Sequence, residues 1–332
     1  MPTVTPSELP SLVAETGYPV LTEEYERQPA FYAEIGKVRP VDSPELTAPM
    51  LGHRELINPG MQRHAEIEVG QEIPGGNAFE GYTVYSKIRK FSRAMVIPKE
   101  MIEASNGQAQ VISLIERAAQ SWGELAAVQK NEFAAGMLQK GTLTAGSTAY
   151  FDGSFVGNTD PTPGFVYDGL PFFDTAHTLT GSSTTFANHT VSLALSATNL
   201  ETVLTALRVG NALDERGERM VNTPNVLVVP VNLEGTALRI LNSELLAGSP
   251  NNDVNWLKNR LRVVANPFLT DNTASWWVGN DTRGLQFFDS GMPVLETVYD
   301  VRTQSHIVTS TYYFGGSVSD ARPWYCANKA AS

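Results

Sequence analysis

Only one cysteine, Cys326, occurs in the chain, so no disulfide can form within it, and a reducing compartment suits it. A thiol six residues from the C-terminal end is a poor scaffold for a nucleophile. Charged residues are also scarce, at 18%, and acids outnumber bases by 35 to 24, for a formal net charge of -11. A grip on nucleic acid needs clustered Lys and Arg that release counterions, and this balance argues against one. No run approaches the roughly 18 apolar residues of a membrane span. The first residues carry neither the basic nor the apolar region of a secretory signal. Nor is there a phosphate-cradling P-loop, a dinucleotide glycine fingerprint, a G-x-S-x-G elbow or an H-E-x-x-H pair. The five histidines (His53, His64, His177, His189 and His306) are scattered without ligand spacing. No catalytic, cofactor or metal site is expected.

What is present is a chain long enough to bury a real core: 332 residues, 42% of them hydrophobic. Eight of its 20 prolines fall in the first 50 residues, a density that favours an extended path over helix. That stretch also holds Leu12, Val13, Tyr18, Leu21, Tyr25, Phe31, Tyr32 and Ile35. Residues 1–61 therefore read as an arm with anchors, lying on its own body or on a neighbour.

From His64 to Ile73 the apolar residues Ala65, Ile67, Val69 and Ile73 alternate with polar ones, the period of a strand with one wet face. Pro74-Gly75-Gly76-Asn77 supplies a turn, and Tyr82 to Ile97 returns with β-branched and aromatic residues. The wet face of the return would carry Lys87, Arg89 and Arg93, opposite in sign to Glu66 and Glu68. Such cross-strand pairs help fix register at about a few tenths of a kcal/mol each. A two-stranded hairpin is marginal alone in water, so a neighbouring subunit is the economical cover.

The period then becomes helical. Val111, Ile115, Ala118, Trp122, Leu125, Phe133 and Met137 form a stripe over Gln110–Gln139, with Ser105 and Asn106 as caps and Lys140-Gly141 as the stop. Residues 141–192 are rich in Gly, Ser, Thr and Asn and read as loops. Thr198 with Glu201 would make a capping box for a helix carrying Leu200, Val203, Leu204 and Leu207. Asn225–Pro230 reads as a buried strand, and Asn232 would cap the next helix. Strands at Leu261–Ala265, Trp276–Gly279, Val294–Tyr299 and His306–Phe314 complete the pattern.

Two polar groupings invite chemistry. Asp174 and His177 could act as an acid–base pair, but a loop Asp capping a turn beside a satisfied His accounts for them better. Asp214, Glu215 and Glu218, interleaved with Arg216 and Arg219, read as a solvated turn.

Three segments, in order, resemble Mu-like major head subunits of tailed bacteriophages. They are Asp168-Gly169-Leu170-Pro171-Phe172-Phe173-Asp174-Thr175-Ala176-His177, then Asn225–Pro230 with Leu233-Glu234-Gly235-Thr236-Ala237, then Asn266-Pro267-Phe268-Leu269-Thr270-Asp271 before Trp276-Trp277. The resemblance implies an α+β chain of the Hong Kong 97-type capsid fold. Its parts would be an N-terminal arm (1–61), a hairpin E-loop (62–97) and a peripheral domain (98–194) with its spine helix at 110–139 and a loop insertion at 141–192. A mixed α/β axial domain (195–300) and a return strand (301–332) would follow. The resemblance further implies self-assembly into hexamers and pentamers of an icosahedral shell around double-stranded DNA, built in the host cytoplasm. Scaffold, portal and decoration proteins would be partners, with no membrane and no sequence-specific DNA contact. Glu66, Glu68, Lys87, Arg89, Lys90 and Arg93 become the candidate inter-subunit contacts. A tail-tube or decoration protein and a hydrolase with a dispersed site are the alternative readings.

Overall fold

The computed structural model describes residues 9–41, 45–47, 50–57, 82–104, 107–142, 166, 168–179, 182–245, 254–270 and 273–329. The N-terminal part is helical. α1 (Leu9–Leu12) runs through a π-helical turn at Val13–Gly17 into α2 (Tyr18–Arg27), and α3 (Phe31–Ile35) follows. This corrects the extended arm expected from proline density. Pro10 lies in the first turn of α1, where no backbone donor is needed, Pro19 follows the π-helical turn, and Pro29 follows the end of α2. The widened turn sits just before Pro19, whose ring and missing N–H disturb the regular ladder. Prolines here punctuate helices.

Strands β1 (Lys37–Pro40), β2 (Glu45–Thr47), β3 (Met50–Ile57) and β4 (Tyr82–Pro98) lead to α4 (Lys99–Glu103) and the long α5 (Gly107–Gln139). The 33 residues of α5 include the stretch expected to be a helix, and at ~1.5 Å per residue it is about 50 Å long. Short pairs β5 (His177–Thr178), β6 (Thr185–Phe186) and β7 (His189–Thr190) precede α6 (Ala197–Thr205), β8 (Val226–Val229), α7 (Val231–Asn242) and β9 (Arg262–Ala265). The chain ends with β10 (Trp276–Gly279), β11 (Leu285–Asp289), β12 (Val294–Asp300), β13 (Ser305–Val318) and β14 (Tyr325–Ala327).

Two sheets organise the body. The first runs β1-β11-β13-β4-β3-β2, with β12 also paired to β13; the second runs β7-β14-β10-β8-β9. In the second, side chains alternate between two cores. Val226, Val228 and Trp277 face the core shared with α5, whereas Leu227, Val229, Trp276 and Val278 face α6 and α7. Both faces are covered, hence a continuous apolar run instead of alternation. A third core joins the arm (Leu9, Val13, Leu21) to Ile97, Ile115 and Leu295.

Local caps differ from those expected. Ser196, not Thr198, caps α6, its Oγ accepting from the Asn199 N–H at 3.2 Å. α7 starts after Pro230 without a side-chain cap, and Asn232 Nδ2 donates instead to the Thr273 carbonyl. Glu215 is no solvated residue. It is buried and accepts from Arg322 at 2.6 Å, and that guanidinium also reaches Asp320 and the Leu213 carbonyl. No described helix is long and apolar enough to cross a membrane.

Candidate assembly surface

β4 has two different halves. Tyr82–Lys87 pairs antiparallel with β3, from Ile57↔Tyr82 to Gly52↔Lys87. Ile88–Pro98 pairs with β13 inside the body sheet, from Gly315↔Ile88 to Ser305↔Pro98. The hairpin expected over Gln62–Ile97 is therefore corrected at both ends. Its return strand belongs to the body from Ile88 onward, and the described partner of its outer half is Met50–Ile57, which the sequence placed in the arm. Glu66, Glu68 and the alternating segment from His64 to Ile73 lie outside the described residues. Lys87 is in the ribbon; its backbone is opposite Gly52.

The face of β4 that holds Arg89 and Arg93 was expected to be the wet one. Phe91, Met95 and Ile97 share that face, and their burial turns it toward α5. The Arg89 guanidinium lies 5.8 Å from the Phe133 ring centroid, and Phe91 stacks on Tyr312 at 5.1 Å. The opposite face is exposed from Lys90 to Pro98, with Val96 55% exposed, while Ile88 at its start is buried. Arg93 stays exposed on the α5-facing side, whereas Arg89 is half-buried over the Phe133 ring.

Between α5 and this sheet lies a groove of about 480 Å³. Lys90 and Arg93 line its sheet side, and Trp122, Leu125 and Glu132 its helix side, with Tyr312 also on the wall. Leu125 belongs to the apolar stripe read from sequence, yet it is 56% exposed, because the stripe wraps past the covered face of α5. Among the described residues, neither Lys90 nor Arg93 has an ion-pair partner.

On the same helix, Lys130 is fully buried and uses all three ammonium donors: Tyr25 Oη at 2.7 Å, Asp289 Oδ1 at 2.6 Å and the Gly291 carbonyl at 2.6 Å. The Tyr32 hydroxyl donates to Asp289 Oδ2 at 2.7 Å. Burial, with the Asp289 charge adding to it, pushes that hydroxyl far above its ordinary value. Asn131 clasps the arm as well, donating to the Pro29 carbonyl at 2.7 Å and accepting from the Tyr32 N–H at 3.3 Å. Gly123 allows the closest approach: a Cβ there would sit 2.6 Å from the Leu21 carbonyl oxygen. The sequence reading missed this hub. A lysine three residues before Phe133 on the stripe was its only trace.

Asp174 and His177 do not pair. Asp174 Oδ1 accepts from the Ala176 N–H at 3.0 Å in a local turn, while buried His177 directs Nδ1 to Asp168 Oδ2 at 2.8 Å and stacks on Phe186. Burial alone would raise the Asp168 carboxyl. The hydrogen bond and charge of His177, with the Leu170 and Thr178 N–H groups, outweigh it and hold the pKa below the usual value. Cys326 is buried, and burial pushes its thiol well above the range in which a thiolate forms readily.

A helical arm, a two-stranded ribbon that continues from the body sheet, a long helix and a mixed α/β unit follow one another along the chain. A family model described as "Phage capsid protein" matches residues 81–327, well over half of the chain, and the chain belongs to that family. Among solved structures, the capsid of an empty GTA particle aligns at 13% identity over 92% of this chain and 91% of that chain, with a TM-score of 0.49. The procapsid of bacteriophage JBD30 aligns at 12% identity, over 99% of this chain and 77% of that chain, with a TM-score of 0.47. A virus-like particle from Pyrococcus furiosus aligns at 11% identity, over 94% and 98%, with a TM-score of 0.46. No curated protein sequence matches the chain.

Proposed function

We propose that this chain is a major capsid protein that self-assembles, through hexamers and pentamers, into an icosahedral shell around double-stranded DNA. The observation that carries the reading is the family match over residues 81–327. The function would be mechanical, without catalysis. A closed shell needs many modest interfaces, each weak enough for misplaced copies to leave, that sum to a stable surface. The β3–β4 ribbon supplies such area. It leaves the body sheet at Ile88, and 24 residues lie between its paired ends Ile57 and Tyr82. A net charge of -11 suits an inner wall along which packaged DNA slides without sticking. Scaffold, portal and decoration proteins would be partners, and assembly would take place in the host cytoplasm.

The test is to replace residues 58–81 by Asn-Gly, a turn that joins paired strands directly. The shortened chain should keep the helix content of the full chain by circular dichroism and stay monomeric. The full chain should form particles visible by negative-stain microscopy. A full chain that remains a 36 kDa monomer at high concentration would contradict the reading.

A further inference from the structure

The Lys130 hub presses an amine against a carboxyl group out of reach of solvent. The Lys130 and Asp289 side chains are 0% and 7% exposed, and the rings of Tyr25, Tyr312 and Phe314 have their centroids 4.8, 5.2 and 5.7 Å from the ammonium. Two charges in such surroundings forfeit their hydration, and an uncharged product would relieve that cost. Nζ lies 2.6 Å from Oδ1. With a C–O bond of about 1.2 Å, the carboxyl carbon is then no more than about 3.8 Å from the nitrogen, close to the separation of about 3–3.5 Å from which bonds form.

Each reacting atom has a partner suited to a condensation. The Gly291 N–H donates to Asp289 Oδ1 at 2.9 Å, where negative charge gathers when the carbon becomes tetrahedral. The Tyr32 hydroxyl donates to Oδ2 at 2.7 Å, and burial keeps that hydroxyl protonated. Tyr25 Oη accepts from Nζ at 2.7 Å and is hydrogen-bonded to the Tyr32 hydroxyl. A donor chain therefore runs from Nζ through Tyr25 and Tyr32 to Oδ2, from nucleophile to leaving oxygen. We propose that Lys130 and Asp289 condense within one folded chain into an isopeptide bond. The ammonium gives its first proton along that chain to Oδ2, and the freed lone pair of Nζ forms the bond to Cγ. The Cγ–Oδ2 bond then breaks, its electron pair leaving with the oxygen, which departs as water with a second proton from Nζ. One ammonium and one carboxylate become one amide and one water, so no oxidant, reductant or co-reactant is needed. The bond ties α5 to the end of β11, 159 residues away, and does not depend on the shell reading.

Mass spectrometry of the full native chain under denaturing conditions tests this. The chain should weigh one water, about 18 Da, less than its sequence requires. Trypsin should fail to cut after Lys130 and should release one branched peptide that joins it to the peptide holding Asp289. A chain of full sequence mass, or a water loss that maps to other residues, overturns the proposal. Both readings come from the native chain and stand whether or not any variant folds. Tyr32→Phe keeps the ring and removes the donor to the leaving oxygen. In chain sampled at intervals after synthesis, bond formation should slow by about a hundredfold, with helix content unchanged by circular dichroism. An unchanged rate in folded Tyr32→Phe overturns the proton path through the two tyrosines.

Discussion

One lysine on the long helix and two basic side chains beside it stand in opposite conditions. Lys130 is buried, holds three acceptors at 2.6–2.7 Å and is ringed by Tyr25, Tyr312 and Phe314. Lys90 and Arg93 are exposed beside Trp122 and Leu125, with no ion-pair partner among the described residues. A charge taken out of water is tolerated only when its partners are complete, so Lys130 is part of the folded subunit. A charge left in water beside apolar surface costs the subunit nothing and stays available to a partner. The molecule thus separates the charges that close the subunit from those that stay at its surface.

The largest break in that comparison should come from Lys130→Met. It leaves Asp289 buried without its cation and should cost about 3–5 kcal/mol. Denaturant unfolding would measure it. The double variant with Asp289→Leu should lose less than the single one, because no unpaired charge remains. A cost below about 1 kcal/mol for the single change would mean that water reaches the hub and that burial does not divide the two sites.

Gly123→Val asks whether the arm is held by charge or by close packing. A side chain there meets the Leu21 carbonyl and the Tyr25 N–H. Overpacking of this kind should destabilise by about 1–3 kcal/mol and expose the first 36 residues to limited proteolysis before the body. Equal proteolysis of arm and body would show that the arm's hold does not depend on the close approach at Gly123.

Arg93→Glu is the counterpart on the open rim. Unfolding free energy should move by no more than about 0.5 kcal/mol, as for a surface site without a buried partner, whatever happens to assembly. A loss of 2 kcal/mol or more would place Arg93 inside the subunit's own network and remove the contrast.

These contrasts also mark how far the sequence was legible. Elements with a strong period could be read directly. The α5 stripe and the apolar run Val226–Val229 both form as expected, because one helical face and one fully covered strand leave clear patterns. The helical arm could not be read. Proline frequency obscured the positions that matter: Pro10 at a helix start, Pro29 past a helix end, and Pro19 at a widened turn that absorbs its missing N–H. The two halves of β4 could not be separated either, because side-chain alternation runs unbroken from Lys87 through Ile88 to Arg89 as it would in a ribbon, and only the long-range partner β13 distinguishes body from ribbon. Of the candidate contacts, Lys90 and Arg93 come to one groove, while the Lys130 hub depends on Tyr25, Asp289 and Gly291, more than a hundred residues away in sequence. No local pattern announces a contact of that kind.

The smallest effect is expected at an ionic pair that lies between the two extremes. Asp168 sits under His177 and two backbone N–H groups, and its folded-state pKa lies below the ordinary carboxylate value of about 4. A depressed carboxylate contributes stability that is fully present above its unfolded pKa and is lost as pH falls through the folded one. Native protein should therefore lose stability below about pH 4, part of it through this residue. Asp168→Asn removes that titration, so its unfolding free energy should be lower at pH 7 and fall less steeply between about pH 4 and pH 2. Parallel acid limbs for the two proteins would mean that the His177 contact is as hydrated as a surface pair, placing it with Lys90 and Arg93 instead of Lys130.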